Sequence, residues 1–162
     1  MDLDRAVRAI RDGECVVYPT ETVYGLGADA LDPDAVERVF ETKGRERSNP
    51  LSMAVPDVET AASYTHLTDR ERAFVREFLP GPVTVVVEAG AEIPENLTAG
   101  RDRVGIRIPD HDVALALLRE VAPITATSAN RSGEESLRRA TGVDPAIREA
   151  VAGGLDGGEG GG

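Results

Sequence analysis

Lysine is almost missing from this sequence: of its 18 basic residues only Lys43 is a lysine, the rest being arginine. Set against 29 acidic residues they leave a net charge of −11, a field that repels phosphate polymers and disfavours a general nucleic-acid binder. Aromatic residues make up only 4% of the chain. A lysine-poor, acid-rich, aromatic-poor surface suits high salt, where screening removes the self-repulsion that loosens a compact state, so a halophilic source is expected. Cysteine occurs once, as Cys15, which excludes an internal disulfide and a multi-cysteine metal site. Within the apolar run Cys15-Val16-Val17-Tyr18 it reads as a small buried hydrophobe. No apolar run approaches the roughly 18 residues of a membrane span, and Met1-Asp2-Leu3-Asp4 lacks the basic-then-apolar form of a signal peptide. A cytoplasmic protein with no membrane partner is the expectation. The P-loop pattern, the Gly-x-Ser-x-Gly elbow and metal-ligand clusters are also missing.

What is present supports one core, since 41% of the 162 residues are apolar. Residues 1–152 read as one domain, and the Gly-rich stretch 153–162 as a flexible end with too little apolar content to order itself. Leu3, Ala6, Val7 and Ile10 recur at helical spacing up to Gly13. Residues 15–18 predict a short buried strand, 23–30 alternate weakly, and Asp32-Pro33 opens a helix whose apolar face carries Val36, Val39 and Phe40. A charged loop over 43–50 leads to a strand-like segment at 51–55 and a helix from about 69 to 78. The β-branched run 83–88 predicts a strand. Further strands are expected at 104–108 and 124–127, with a helix over Val113, Ala114, Leu117 and Leu118 between them. These elements intermix without the regular alternation of a doubly wound fold. The expected class is α/β or α+β, a twisted mixed sheet with flanking helices.

Three segments carry candidate chemistry. In Pro19-Thr20-Glu21-Thr22-Val23-Tyr24-Gly25-Leu26-Gly27, hydroxyls follow a strand end and two glycines let backbone approach a ligand, or else the threonines only satisfy a tight turn. Lys43-Gly44-Arg45-Glu46-Arg47-Ser48-Asn49-Pro50 places three positive charges in an acidic chain, suited to gripping a polyphosphate or simply to solvation beside Glu41 and Glu46. In a composition that has otherwise replaced lysine by arginine, the retention of Lys43 here favours the first. In residues 125–133, small hydroxyl and amide side chains run from a strand into a loop, where Ser128 and Asn130 can bond a nucleotide or merely close a turn. Arg107, between Ile106 and Ile108, takes the face opposite to both. A carboxylate is its natural partner if that face lines a cleft; if the face is solvent, Arg107 is a surface charge. His111 reads as a helix-start hydrogen bonder, and His66 has no motif around it.

Taken together, P-T-E-T-V-Y-G-L-G, the K-x-R loop with N-P-L, L-P-G-P-V-T, V-G-I-R-I-P-D-H and T-S-A-N followed by S-G are collinear over nearly the whole chain. In this order they resemble the YrdC-like family of threonylcarbamoyl-adenylate synthases. Ala54 stands where some long-form members carry histidine, so the resemblance is to the short form. It implies a concave cleft binding ATP, L-threonine and bicarbonate with Mg2+, and a further strand, beyond Gly162, that helps to close the site. By motif position, Lys43 and Arg45 contact the ATP phosphates and act in catalysis, with Asn49 close by, and Ser128, Asn130 and Ser136 hold the nucleotide from the other side. Thr22, Arg107 and the backbone of Ala126 hold threonine. The resemblance also implies a product handed to a separate tRNA threonylcarbamoyl transferase, and no metal-binding side chains are assigned. Two other readings stand beside it: a noncatalytic double-stranded RNA-binding or ribosome-associated module, disfavoured by the charge, and the carbamoyl-transfer domain of hydrogenase maturation proteins.

Overall fold

A computed structural model describes residues 1–130 and 145–155. The helices start where local chemistry dictates. Asp2 caps α1 (Leu3–Arg11) by accepting from the Arg5 amide at 2.9 Å. Helix α2 (Pro33–Lys43) has Asp32 as its cap, proline in its first turn, and Gly44 in the left-handed region, at φ 63°, as its stop. Helices α3 (Val58–Tyr64) and α4 (Asp69–Phe78) follow, the second opened by a reciprocal Thr68–Glu71 capping box. The four-residue α5 (Glu95–Thr98) precedes α6 (Asp112–Val121), where His111 Nδ1 accepts from the Val113 amide at 3.2 Å, the helix-start role expected of it. Among the described residues the last helix is α7 (Pro145–Ala150).

Among the described residues eight strands form one mixed sheet. In chain order they are β1 (Val16–Tyr18), β2 (Gly25–Gly27), β3 (Ser52–Ala54), β4 (Thr65–His66), β5 (Val85–Ala89), β6 (Arg103–Arg107), β7 (Ile124–Ser128) and β8 (Gly153–Gly154). Their order across the sheet is β4-β5-β6-β3-β7-β2-β1-β8. Only β1/β8 and β3/β6 run parallel; the other pairs are antiparallel. The expected mixed sheet with flanking helices is therefore the observed one. The Gly-rich stretch begins differently from expectation, because Gly153 and Gly154 pair with Val16 and Val17 and Leu155 is buried. Backbone pairing to an existing edge and one apolar anchor order these three residues despite their composition.

Strand alternation divides the core in two. Val17, Leu26, Met53, Val87, Val104 and Ile106 face one side and pack with Val36, Val39 and Phe40 of α2. Val16, Tyr18, Ala54 and Ile124 face the other, under Ile10 of α1 and Leu117 and Leu118 of α6. Each of the valine, leucine, isoleucine, methionine and phenylalanine side chains contributes about 1.5–3 kcal/mol relative to remaining exposed. Cys15 belongs to the first cluster at 2% exposure, and burial pushes its thiol up to about 11. It is the buried hydrophobe expected, with no thiolate to offer as a nucleophile at neutral pH.

The two glycines of β2 have a different reason from the expected one. A Cβ on Gly25 would lie 2.7 Å from the Tyr18 ring, and one on Gly27 would lie 2.9 Å from both that ring and Ile124. They make room for Tyr18, which crosses the strand and donates its hydroxyl to the Thr125 carbonyl at 3.1 Å. Gly25→Ala should lower stability by about 1–3 kcal/mol through overpacking, read as a lower denaturant midpoint at an unchanged slope. A wild-type midpoint would remove Tyr18 as the reason for the glycine.

Candidate functional site

The register gathers motif residues on one face of the sheet. Gly25 pairs with Tyr18 on one side and Ser128 on the other, Ala126 pairs with Ser52, and Ala54 pairs with Arg107. At the strand ends on this face lies a cavity of about 170 Å3. Thr20, Val23, Tyr24 and Gly25 form one wall; Thr84 and Arg107 form the other, with Ala126 and Ser128 between. The volume is below the roughly 300–1,000 Å3 of pockets that take drug-sized ligands, so it fits a small molecule on the scale of an amino acid. A larger cavity, about 520 Å3, lies beside α4 and is lined by His66, Glu71, Arg72 and Glu88 among others. It shares no residue with the sequence motifs, and its lining mixes acidic and basic groups. The smaller cavity is the candidate site because the chemistry converges there.

Arg107 lines the cavity, which resolves the choice that strand alternation left open. One of its terminal nitrogens donates to Glu21 Oε1 at 2.8 Å, and both side chains are about one-fifth exposed. Its Nε is buried with no partner among the described residues. Thr22 is not part of the cavity lining. Its hydroxyl is 3.1 Å from that of the buried Thr20, which does line the cavity and bonds the Val23 carbonyl. Thr22 thus acts in the turn while Thr20, given no role from sequence, reaches the cavity.

Lys43 departs most from expectation. It is the last residue of α2 rather than part of an exposed loop, and it is only 2% exposed. Its ammonium donates to the Ser128 carbonyl at 2.6 Å and to Asn130 Oδ1 at 3.2 Å, while the Ser128 hydroxyl meets the same Asn130 oxygen. Burial, with the charge of Arg45 adding to it, pulls Lys43 down to about 8. An ammonium has three donors, and the two acceptors it meets among the described residues leave it short of its full complement. Arg45, whose pKa burial also lowers, folds over the loop and donates to the carbonyls of Asn49 at 3.1 Å and Pro50 at 2.8 Å. Asn49 itself is exposed. Arg47 turns away to pair with Glu37 and lies over the Phe40 ring. The structure therefore joins Lys43, Ser128 and Asn130 in one network and puts Arg107, Ala126 and Ser128 around one cavity. Ser136 lies outside the described residues, as does the 131–133 end of the segment that carries Ser128 and Asn130.

Among the described residues no three or more His, Cys, Asp or Glu side chains group so as to hold a metal. The nearby carboxylate of Glu21 is committed to Arg107 and the Asp110 amide. These side chains do not fit a resident Mg2+. No helix among the described residues is long and apolar enough to cross a membrane.

Sequence reasoning missed Glu21, Thr84 and Tyr24. All three sit inside motifs already singled out, but Glu21 and Arg107 are 86 positions apart, and only the fold shows that they touch.

The Sua5/YciO/YrdC family model, described as telomere recombination, matches residues 8–162. A threonylcarbamoyl-AMP synthase of Bacillus subtilis is 40% identical over 95% of this chain, which spans 45% of that relative's length. The crystal structure of Pyrococcus abyssi Sua5 complexed with L-threonine superposes with a TM-score of 0.88 at 38% identity, covering 97% of this chain and 47% of that one. A full-length HypF in its phosphate- and nucleotide-bound form shares the fold, with a TM-score of 0.84 at 21% identity over 97% of this chain and 25% of that one. The chain spans about half the length of the first two of these proteins. With the family model covering all but its first seven residues, this chain belongs to the Sua5/YciO/YrdC family.

Proposed function

We propose that this chain makes L-threonylcarbamoyl-adenylate and pyrophosphate from L-threonine, bicarbonate and ATP, for modification of tRNA by a separate transferase. The observation that carries the proposal is the cavity with Arg107 at one wall and Ser128, tied to Lys43, between the walls. In this reading the Arg107 wall takes a carboxylate and the Ser128 side a phosphate, and a small amino acid fits between. The relatives' name and the threonine-bound structure support the same assignment. In this reading Arg107 takes the threonine carboxylate, with Thr22 acting through Thr20 and with the Ala126 backbone beside the ligand. Lys43 and Arg45 serve the ATP phosphates and Ser128 and Asn130 the nucleotide, while Asn49 and Ser136 keep the ATP-binding roles that their motif positions imply.

The threonine nitrogen adds to the carbon of bicarbonate and water leaves, giving a carbamate. A carbamate oxygen then attacks the α-phosphorus while the bond to the bridging oxygen breaks and pyrophosphate departs. No side-chain nucleophile enters either step. The protein's part is to hold the reactants in line and to set Lys43 and Arg45 against charge developing on the phosphates. Mg2+, for which the described residues offer no cage, belongs in this reading to the triphosphate itself.

Calorimetry tests the assignment. Threonine should bind without RNA, more tightly with ATP present, and ATP more tightly with threonine by the same factor. Serine lacks the methyl group and should bind more weakly by roughly 1–3 kcal/mol. No heat with threonine, alongside tight binding of double-stranded RNA, would replace this reading with the RNA module. We also place the protein in a salt-rich cytoplasm, on the strength of the net charge of −11. At low ionic strength its carboxylates repel over a Debye length of about 10 Å or more. The thermal midpoint should rise by several degrees from dilute buffer to molar potassium chloride; an unchanged midpoint would contradict adaptation to salt.

A further inference from the structure

Arg107 is only half engaged. A guanidinium is a planar fork of five donors, and a carboxylate in an ideal pair takes two of them in parallel. Glu21 does not bind in that way. One of its oxygens accepts from Arg107 and the other from the backbone amide of Asp110, at the turn leading into α6. Its carboxylate therefore fixes the guanidinium to a rigid backbone point without occupying a full edge of the fork. The Arg107 Nε that remains is buried and has no partner among the described residues. Such a donor is destabilising until an acceptor reaches it.

The position of Glu21 in the fold adds a second argument. It sits in the turn after β1, whereas Arg107 ends β6, and strands β3, β7 and β2 lie between β6 and β1. Thr20 and Val23, its neighbours in that turn, form one wall of the cavity; Thr84 and Arg107 form the other. The ion pair ties the two walls together at the strand ends.

Resting on the proposed function, we infer that Glu21 is the positioning residue for Arg107: it fixes the guanidinium at the cavity wall with its spare donors reserved for the carboxylate of an α-amino acid. Glu21 touches neither substrate nor nucleotide. Its loss leaves the charge of Arg107 in place but lets the fork rotate.

The test uses Glu21→Gln and Glu21→Asp, with three readouts. In Glu21→Gln a single amide oxygen serves either Arg107 or Asp110, and threonine affinity should fall roughly tenfold, the low end for a charge-assisted contact. ATP affinity measured alone should stay within about twofold, since Lys43 and its acceptors are untouched. Glu21→Asp, which keeps the charge on a shorter arm, should fall between wild type and Glu21→Gln. The third readout is the Arg107 Nε–H resonance, identified by its loss in Arg107→Lys. It should be a single slowly exchanging signal in wild type and broaden in Glu21→Gln. Threonine and ATP weakening together would mean that Glu21 merely holds the fold, and tighter threonine binding would make it a competitor for the site. Either result, or an unchanged resonance, overturns the inference. If wild type binds no threonine, the proposed function fails by itself, and the resonance still decides whether Glu21 positions the guanidinium.

Discussion

Replacing Lys43 with methionine abolishes most ATP-dependent turnover, by about 10²–10³-fold, and leaves the protein folded. The two expectations come from different terms. Losing a preorganised positive charge beside a phosphate in a partly dehydrated site costs on the order of 2.7–4 kcal/mol in the transition state. For the fold, the balance is closer. Lys43 sits at about 8 instead of its ordinary 10.5, so burying its charge costs roughly 3 kcal/mol at neutral pH. Methionine removes that cost but takes one donor from the Ser128 carbonyl and one from Asn130 Oδ1, which still accepts from the Ser128 hydroxyl, so about 1–3 kcal/mol is lost. The net change in stability is therefore small. Pyrophosphate release and a denaturant midpoint measured on one preparation separate the two effects. A variant that turns over normally would return Lys43 to a structural role.

The same residue makes both stability and nucleotide affinity depend on pH. Between pH 8 and 10.5 the unfolded chain holds the Lys43 proton more tightly than the folded one does. Raising pH through this window therefore stabilises the ligand-free protein, and below pH 8 the burial cost is present in full. Phosphate binding acts in the opposite sense, because an anion beside Lys43 favours its charged form. ATP affinity should thus fall by up to about tenfold per pH unit above 8, until the pKa of the complex is reached. Lys43→Met should flatten both slopes.

Replacing Arg107 with alanine is the other large effect, and it strikes fold and function together. The ion pair with Glu21 is about four-fifths buried, so removing one partner strands the other and should cost about 3 kcal/mol of stability. Threonine binding should disappear from the calorimetric range. Arg107→Lys keeps a charge near Glu21 but loses the planar fork; it should recover much of the stability and little of the affinity. Threonine binding restored by lysine would show that charge alone suffices at this position.

The elements most legible in the sequence are those whose own residues decide them. The helix expected at 69–78 has those bounds, since the Thr68–Glu71 box fixes its start, and the β-branched run from Val83 does yield β5, beginning two residues later at Val85. Short elements that depend on neighbours were not legible. Strand β4 is two residues long, and β8 exists because β1 offers an edge. The site divides in the same way. Lys43, Ser128 and Asn130 could be picked out as a group by resemblance, but hydrophilic neighbours hid the burial of Lys43, whose ammonium reaches Ser128 at the end of β7. The ligand approach expected at Gly25 and Gly27 holds for Gly25, which lines the cavity, while the Tyr18 ring is what leaves no room for a Cβ at either. The partner of Arg107 lies in the first motif, and no local pattern could connect the turn after β1 with the end of β6.

The most direct measurement is pyrophosphate release by RNA-free protein in high salt, with ATP, threonine and bicarbonate supplied together and each then omitted in turn. The account predicts release only with all three, together with an adenylate product carrying both threonine and the carbon of bicarbonate. Release that persists without threonine, or none under any combination while the protein remains folded, would contradict it.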